Sequence, residues 1–90
     1  MLVLPAELTH KQAKACADML AQALRKQSER AVVVEAAALT HFDSSALAVL
    51  LECRREALAQ GKSFSVRQLP ADLRKLAGLY GVAALLPAAP

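Results

Sequence analysis

The sequence predicts an α/β fold: a small, mostly parallel β-sheet with about three α-helices packed on it. Three observations lead there. Strand-like and helix-like stretches alternate along the chain, an order that favours parallel strands joined by helical crossovers. The run Ala31-Val32-Val33-Val34-Glu35 is a continuous β-branched block, the pattern of a central strand covered on both faces. The length of 90 residues suits one domain, residues 1–90, around one core.

Each element has its own signal. Leu2-Val3-Leu4 is a short apolar run stopped by Pro5, and reads as a strand. Thr9 and Gln12 have capping-box spacing: the Thr9 hydroxyl can accept from the Gln12 N–H while Gln12 reaches back to Thr9. Ala13, Cys16, Ala17, Leu20 and Leu24 then mark one face of a helix running to about Gln27. After the Ala31–Glu35 strand, Ala36–Phe42 reads as a connection. Asp43 or Ser44 can cap a second helix, whose apolar stripe includes Leu47, Leu50, Leu51, Cys53 and Leu58. Gln60-Gly61 ends it. Ser63-Phe64-Ser65-Val66-Arg67 alternates with period two and reads as a strand. Pro70 suits the first position of a third helix, with Asp72 in its first turn. Leu73, Leu76, Ala77 and Tyr80 form its expected inner face, and Gly78 and Gly81 weaken or end it. Val82–Leu86 is a last apolar piece. The tail Pro87–Pro90 is expected to fray.

Composition narrows the function. Hydrophobic residues make up 56% of the chain and aromatics 3%, so the core is built of Leu, Val and Ala. The mean hydropathy of +0.31 excludes a disordered chain. The net charge is +3, but the cations are scattered among acids and read as solvated faces, without the patch and stacking aromatics of a nucleic-acid binder. No basic segment precedes an apolar run as in a secretory signal, and no stretch is long enough to span a membrane. Cys16 and Cys53 could form a disulfide. Buried free thiols of a cytoplasmic protein fit their positions in helical patterns better. The two His and two Cys have no metal-site spacing.

Enzyme motifs are missing. Gly61, Gly78 and Gly81 lie late and apart, so there is no phosphate-binding glycine loop. No Gly-x-Ser-x-Gly elbow occurs. His41 lies close enough in sequence for a Ser44–His41 pair to be imagined, without an oxyanion hole beyond the helix start. His10 reads as an exposed first-turn residue. The expectation is a chain that is not an enzyme, with no cofactor and no metal.

The informative segment is Thr40–Leu47, where a turn delivers two hydroxyls to the start of a helix. A helix start carries free N–H groups and partial positive charge, so a serine there is a plausible cap, polar contact or phospho-acceptor. Phe42-Asp43-Ser44-Ser45-Ala46-Leu47-Ala48-Val49-Leu50-Leu51 resembles the signature of STAS domains (sulfate transporter and anti-sigma factor antagonist). Leu4–Leu8, Ala31–Glu35, Gly61–Phe64 and Leu73–Val82 resemble the family's other elements in the same order, so the likeness covers nearly the whole chain. Two departures stand out. Ala46 takes a place where anti-sigma antagonists usually have Gly. Only Met1 precedes the first strand, where antagonists usually carry an additional strand, so the expectation is a sheet short by one edge strand or a minimal protein.

The resemblance implies a non-enzymatic binding module. The ending Leu76–Val82 with Leu85-Leu86-Pro87 is similar to that of MlaB-type STAS proteins, which implies an adaptor for the ABC-transporter ATPase subunit of a phospholipid-transport complex. Such a protein is cytoplasmic, and meets the inner membrane only through its complex. The alternative implied is an anti-sigma factor antagonist whose Ser44 is phosphorylated by an anti-sigma factor kinase. On the family's pattern, Asp43, Ser44 and Ser45 are the expected partner-binding and phospho-acceptor positions. Leu47, Arg74, Lys75, Leu79 and Tyr80 are further expected partner contacts.

Overall fold

Pro5 divides the first extended stretch in two, because proline has no N–H to give to a ladder. The structure is a computed structural model that describes Met1–Pro90. β1 (Leu2–Val3) precedes the proline and β2 (Glu7–Leu8) follows it. β1 runs parallel to β3 (Ala31–Glu35), with Leu2 opposite Val34. β2 runs parallel to β4 (His41–Phe42), with Glu7 opposite His41. The stretch Ala36–Phe42 is thus more than a connection. Two residues are too few to show a period of two, and β4 exists only because β2 lies beside it.

β3 also pairs in parallel with β5 (Ser63–Arg67), so the main sheet has the order β1-β3-β5 with β3 central, as the sequence predicts. The expected cover on both faces is corrected. Val32 and Val34 are fully buried, while Ala31 is exposed and Val33 and Glu35 are half-buried. β5 alternates likewise, with Phe64 and Val66 inside. All three helices send their apolar stripes into one core cluster, so only one face of the sheet is closed.

α1 (Ala13–Lys26) buries Cys16, Leu20 and Leu24. Half of the capping box forms: Gln12 Oε1 accepts from the Thr9 N–H at 2.9 Å. The Thr9 hydroxyl donates to that same oxygen at 2.8 Å and does not accept from Gln12. At the far end Lys62 Nζ donates to the Leu24 and Gln27 carbonyls at 3.3 and 2.5 Å, which places a cation where the helix dipole is negative.

α2 (Ser45–Ala59) buries Ala46, Leu47, Val49, Leu50, Cys53 and Ala57. It closes as the sequence predicts: Gly61 has φ +73, its N–H meets the Leu58 carbonyl, and the Lys62 N–H meets Ala57. That double closure needs a left-handed residue, which glycine supplies without steric cost.

α3 (Ala71–Leu79) begins one residue later than expected, with Pro70 as its capping residue. Leu73 and Ala77 are buried and Leu76 is half-buried. Tyr80 is corrected from inner face to surface. It is 60% exposed, because the helix stops at Leu79 and Gly81, at φ +73, turns the chain away.

The tail does not fray. After a 3-10 turn over Ala83–Leu85, Leu86 is 1% exposed. The Val66 N–H then donates to the Pro87 carbonyl at 2.8 Å, and the Ala89 N–H donates to the Val66 carbonyl at 2.9 Å. The tail therefore makes a parallel bridge on the outer edge of β5.

Cys16 and Cys53 are buried free thiols. Burial raises both, and Cys53 is pushed up to about 11, with smaller contributions from Cys16 and Glu56. No helix is long and apolar enough to cross a membrane.

Three outcomes test this packing. Leu86→Ala should destabilise the fold by about 2–4 kcal/mol in chemical denaturation, because it empties a core position. Leu79→Ala, at an exposed site, should stay within about 0.5 kcal/mol. Equal effects of the two would mean that the tail is not docked. In amide exchange, Val32–Val34 should be among the slowest positions and the exposed Ser28–Arg30 loop among the fastest. A thiol reagent should label Cys16 and Cys53 only slowly under native conditions.

Candidate docking site at the start of the second helix

No polar or charged side chain is buried, so binding chemistry other than that of the two thiols lies at the surface. The most organised place is the junction of β4 and α2. Asp43 Oδ1 accepts from the Ser45 N–H at 2.8 Å. This side-chain bond caps the helix, in the manner of aspartates that bond the backbone two residues on. Asp43 Oδ2 accepts from the His10 N–H at 3.0 Å and meets His10 Nδ1 at 3.2 Å. The His10 backbone N–H, then the Ser45 N–H, hold the Asp43 carboxyl down at about 2.

The choice of cap left open by the sequence is thereby resolved. Asp43 caps α2, and Ser44 makes no side-chain capping bond. Ser44 is exposed and Ser45 half-buried. Leu47, an expected partner contact, is 3% exposed. It roots the helix in the core and does not reach the surface.

The other expected contacts form a separate group. Arg74 and Lys75 are exposed on α3. Leu79 is 82% exposed, and Leu85 joins it and Tyr80 among the exposed apolar side chains. Neither Arg74 nor Lys75 takes part in the chain's salt bridges. No hydrogen bond or ion pair links this group to Asp43.

Sequence reasoning missed two long-range pairs at the first group. One is His10 with Asp43. The other is His41 Nε2 with Glu7 Oε2 at 3.7 Å, side by side in the β2–β4 register. Because His41 turns to Glu7 and His10 to Asp43, the imagined Ser44–His41 pair is not assembled. A cleft of about 150 Å³ lies elsewhere, between α1 and α2, lined by Ala17, Asp18, Ala21, Glu52, Cys53 and Glu56. It is smaller than the roughly 300–1,000 Å³ of ordinary small-molecule sites.

The parallel sheet thus leads into a helix start that presents Asp43, Ser44 and Ser45. A similar fold occurs in an anti-sigma-factor antagonist (STAS) domain protein from Planctomyces limnophilus. The two structures agree with a TM-score of 0.79 at 16% identity, over 96% of this chain and 77% of that one. The family model described as "Mlab, STAS domain" matches residues 1–87, and the chain belongs to that family. No curated protein matches the chain. STAS domains are in general binding domains that act through protein–protein contacts.

The hydrogen bonds to Asp43 set a pH dependence. A carboxyl ordinarily near pH 3.8 is held at about 2 in the fold. Its stabilisation is complete above the ordinary value and is lost as pH falls through the lower one. Asp43→Ala should therefore lower the melting temperature at neutral pH and flatten its decline between about pH 4 and pH 2. Melts followed by circular dichroism across that range check this. Parallel curves for the two proteins would show that the carboxylate is not held.

Proposed function

We propose that the chain is a single STAS domain that serves as a non-enzymatic adaptor. It binds and supports the cytoplasmic ATPase of an Mla-type phospholipid-transport ABC complex that maintains outer-membrane lipid asymmetry. The observation that carries this reading is the match of the "Mlab, STAS domain" model to residues 1–87. The geometry is suited to it. A rigid helix start with Asp43 fixed and Ser44 exposed offers polar contacts, and Leu79 and Tyr80 with Arg74 and Lys75 offer apolar and cationic ones. Contacts of this kind anchor protein interfaces, Tyr and Arg above all. Docking favours one conformation of the ATPase and so raises its population. On this reading the protein is cytoplasmic, peripheral to the inner membrane when in complex, and meets lipid only through the transporter. It needs no cofactor and binds no nucleic acid.

A second reading is an anti-sigma factor antagonist controlled by an anti-sigma factor kinase. One observation favours it: the Ser44 hydroxyl is exposed and makes no capping bond. A phosphate there adds about −1.5 to −2 charge beside Asp43, and the like charges repel an interface that must shed water.

Capture from native lysate separates the two readings. The first expects an ABC-transporter ATPase subunit, the second an anti-sigma factor kinase. Ser44→Glu should weaken capture at least about fivefold through the carboxylate placed beside Asp43, with the fold intact because acids are tolerated at a helix start. Ser44→Ala should change the unfolding free energy by no more than about 0.5 kcal/mol, the range of surface substitutions, since Ser44 is not the cap. Tyr80→Ala should cost about 1–2 kcal/mol of binding if Tyr80 anchors the interface. Normal binding by both Ser44→Glu and Tyr80→Ala would remove the two surfaces from the reading.

A further inference from the structure

Capping α2 requires only one oxygen of Asp43. The other is committed to a different element. We propose that His10 is a positioning residue of the docking surface, clamping the first turn of α2 to the loop between β2 and α1 through Asp43. The inference rests on the docking reading above and extends the surface to a segment that the Asp-Ser-Ser motif does not include.

Three features carry it. The clamp is two-pronged: the His10 N–H at 3.0 Å and Nδ1 at 3.2 Å converge on the same Oδ2. With the Ser45 N–H at 2.8 Å on Oδ1, both carboxylate oxygens are held and the group cannot rotate. Ser44 lies between the capping aspartate and the bonded Ser45 N–H, so its backbone is fixed while its hydroxyl stays out of the cap. Finally, the His10 and Asp43 side chains remain 74% and 39% exposed. Exposed pairs contribute little to stability. What such a pair supplies is pre-organisation, which spares a partner the cost of ordering the surface on binding. With Nδ1 turned to Asp43, the imidazole's Nε2 edge is left for solvent or a partner, next to exposed Lys11.

The test uses His10→Ala, His10→Asn, Asp43→Ala and the double variant His10→Ala/Asp43→Ala. Each is titrated calorimetrically with the purified ATPase subunit from the same organism, and amide spectra are recorded on the free proteins. His10→Ala should weaken binding about fivefold, the scale of one exposed charged contact. His10→Asn, whose side-chain amide can donate as Nδ1 does, should restore most of it. In the Asp43→Ala background the His10→Ala change should cost nothing further. The Ser45 amide resonance should move in free His10→Ala while its melting temperature barely changes. An equal loss in both backgrounds would make His10 an independent contact and overturn the clamp. If the native protein does not bind the ATPase subunit, the docking reading falls. The clamp is then decided by the Ser45 resonance, and an unmoved resonance in His10→Ala overturns it.

Discussion

The parallel pairing of the Leu2–Leu8 segment with the Val34–Phe42 segment governs the rest of the molecule. Parallel strands finish at the same edge. β2 and β4 therefore release their helices side by side, and the starts of α1 and α2 meet at one end. Only this geometry brings His10, just before α1, within 3.0 Å of Asp43, just before α2. An antiparallel arrangement would send the two helix starts to opposite ends. The surface that offers Ser44 follows from strand direction before any particular side chain is considered.

Asp43 fixes the backbone at that surface. A helix start leaves N–H groups without partners, and several residues in Thr40–Ser45 have oxygens that can supply one. Asp43 takes the task, and thereby releases the hydroxyl beside it. Had Ser44 been the cap, its hydroxyl would be occupied and its replacement would unsettle the helix. Division of labour between two adjacent residues separates the integrity of the fold from the chemistry of the surface. Leu47 contributes from beneath, because its burial holds the helix start against the core.

The fold was legible where a periodic pattern was long enough to read. Val32–Val34, the Ser63–Arg67 alternation and the stripe Cys16-Leu20-Leu24 each identify their element. β2 and β4 are two residues each, too short for a period, and they exist only as partners of each other. Tyr80 fits the helical period of Leu73 and Ala77, but Gly81 ends the helix in time to turn it outward. Val82–Leu86 is apolar throughout, but no period in it selects Leu86 over Leu85 for the core, and nothing in Pro87–Pro90 signals the bridge to Val66. At the site, Asp43, Ser44 and Ser45 were visible as a motif. The meeting of His10 with Asp43 was not, because it depends on the register of two strands distant in sequence, and no local signal carries that register.

Every strand pair in both sheets is parallel. No strand is therefore joined to its neighbour by a tight turn, and no hairpin can nucleate the chain. Leu2 must find Val34, and Val34 must find Val66, each across an intervening helix. The contact order is accordingly high for so short a protein. Loop closure has to precede any gain from the ladder, which slows folding relative to helical bundles of this size. The helices are the local structures that can shorten those searches, by folding the intervening chain into compact segments before the strands meet. By compacting the chain between the strands, α1 and α2 thus shorten the search that brings β3, at the centre of the sheet, to its partners.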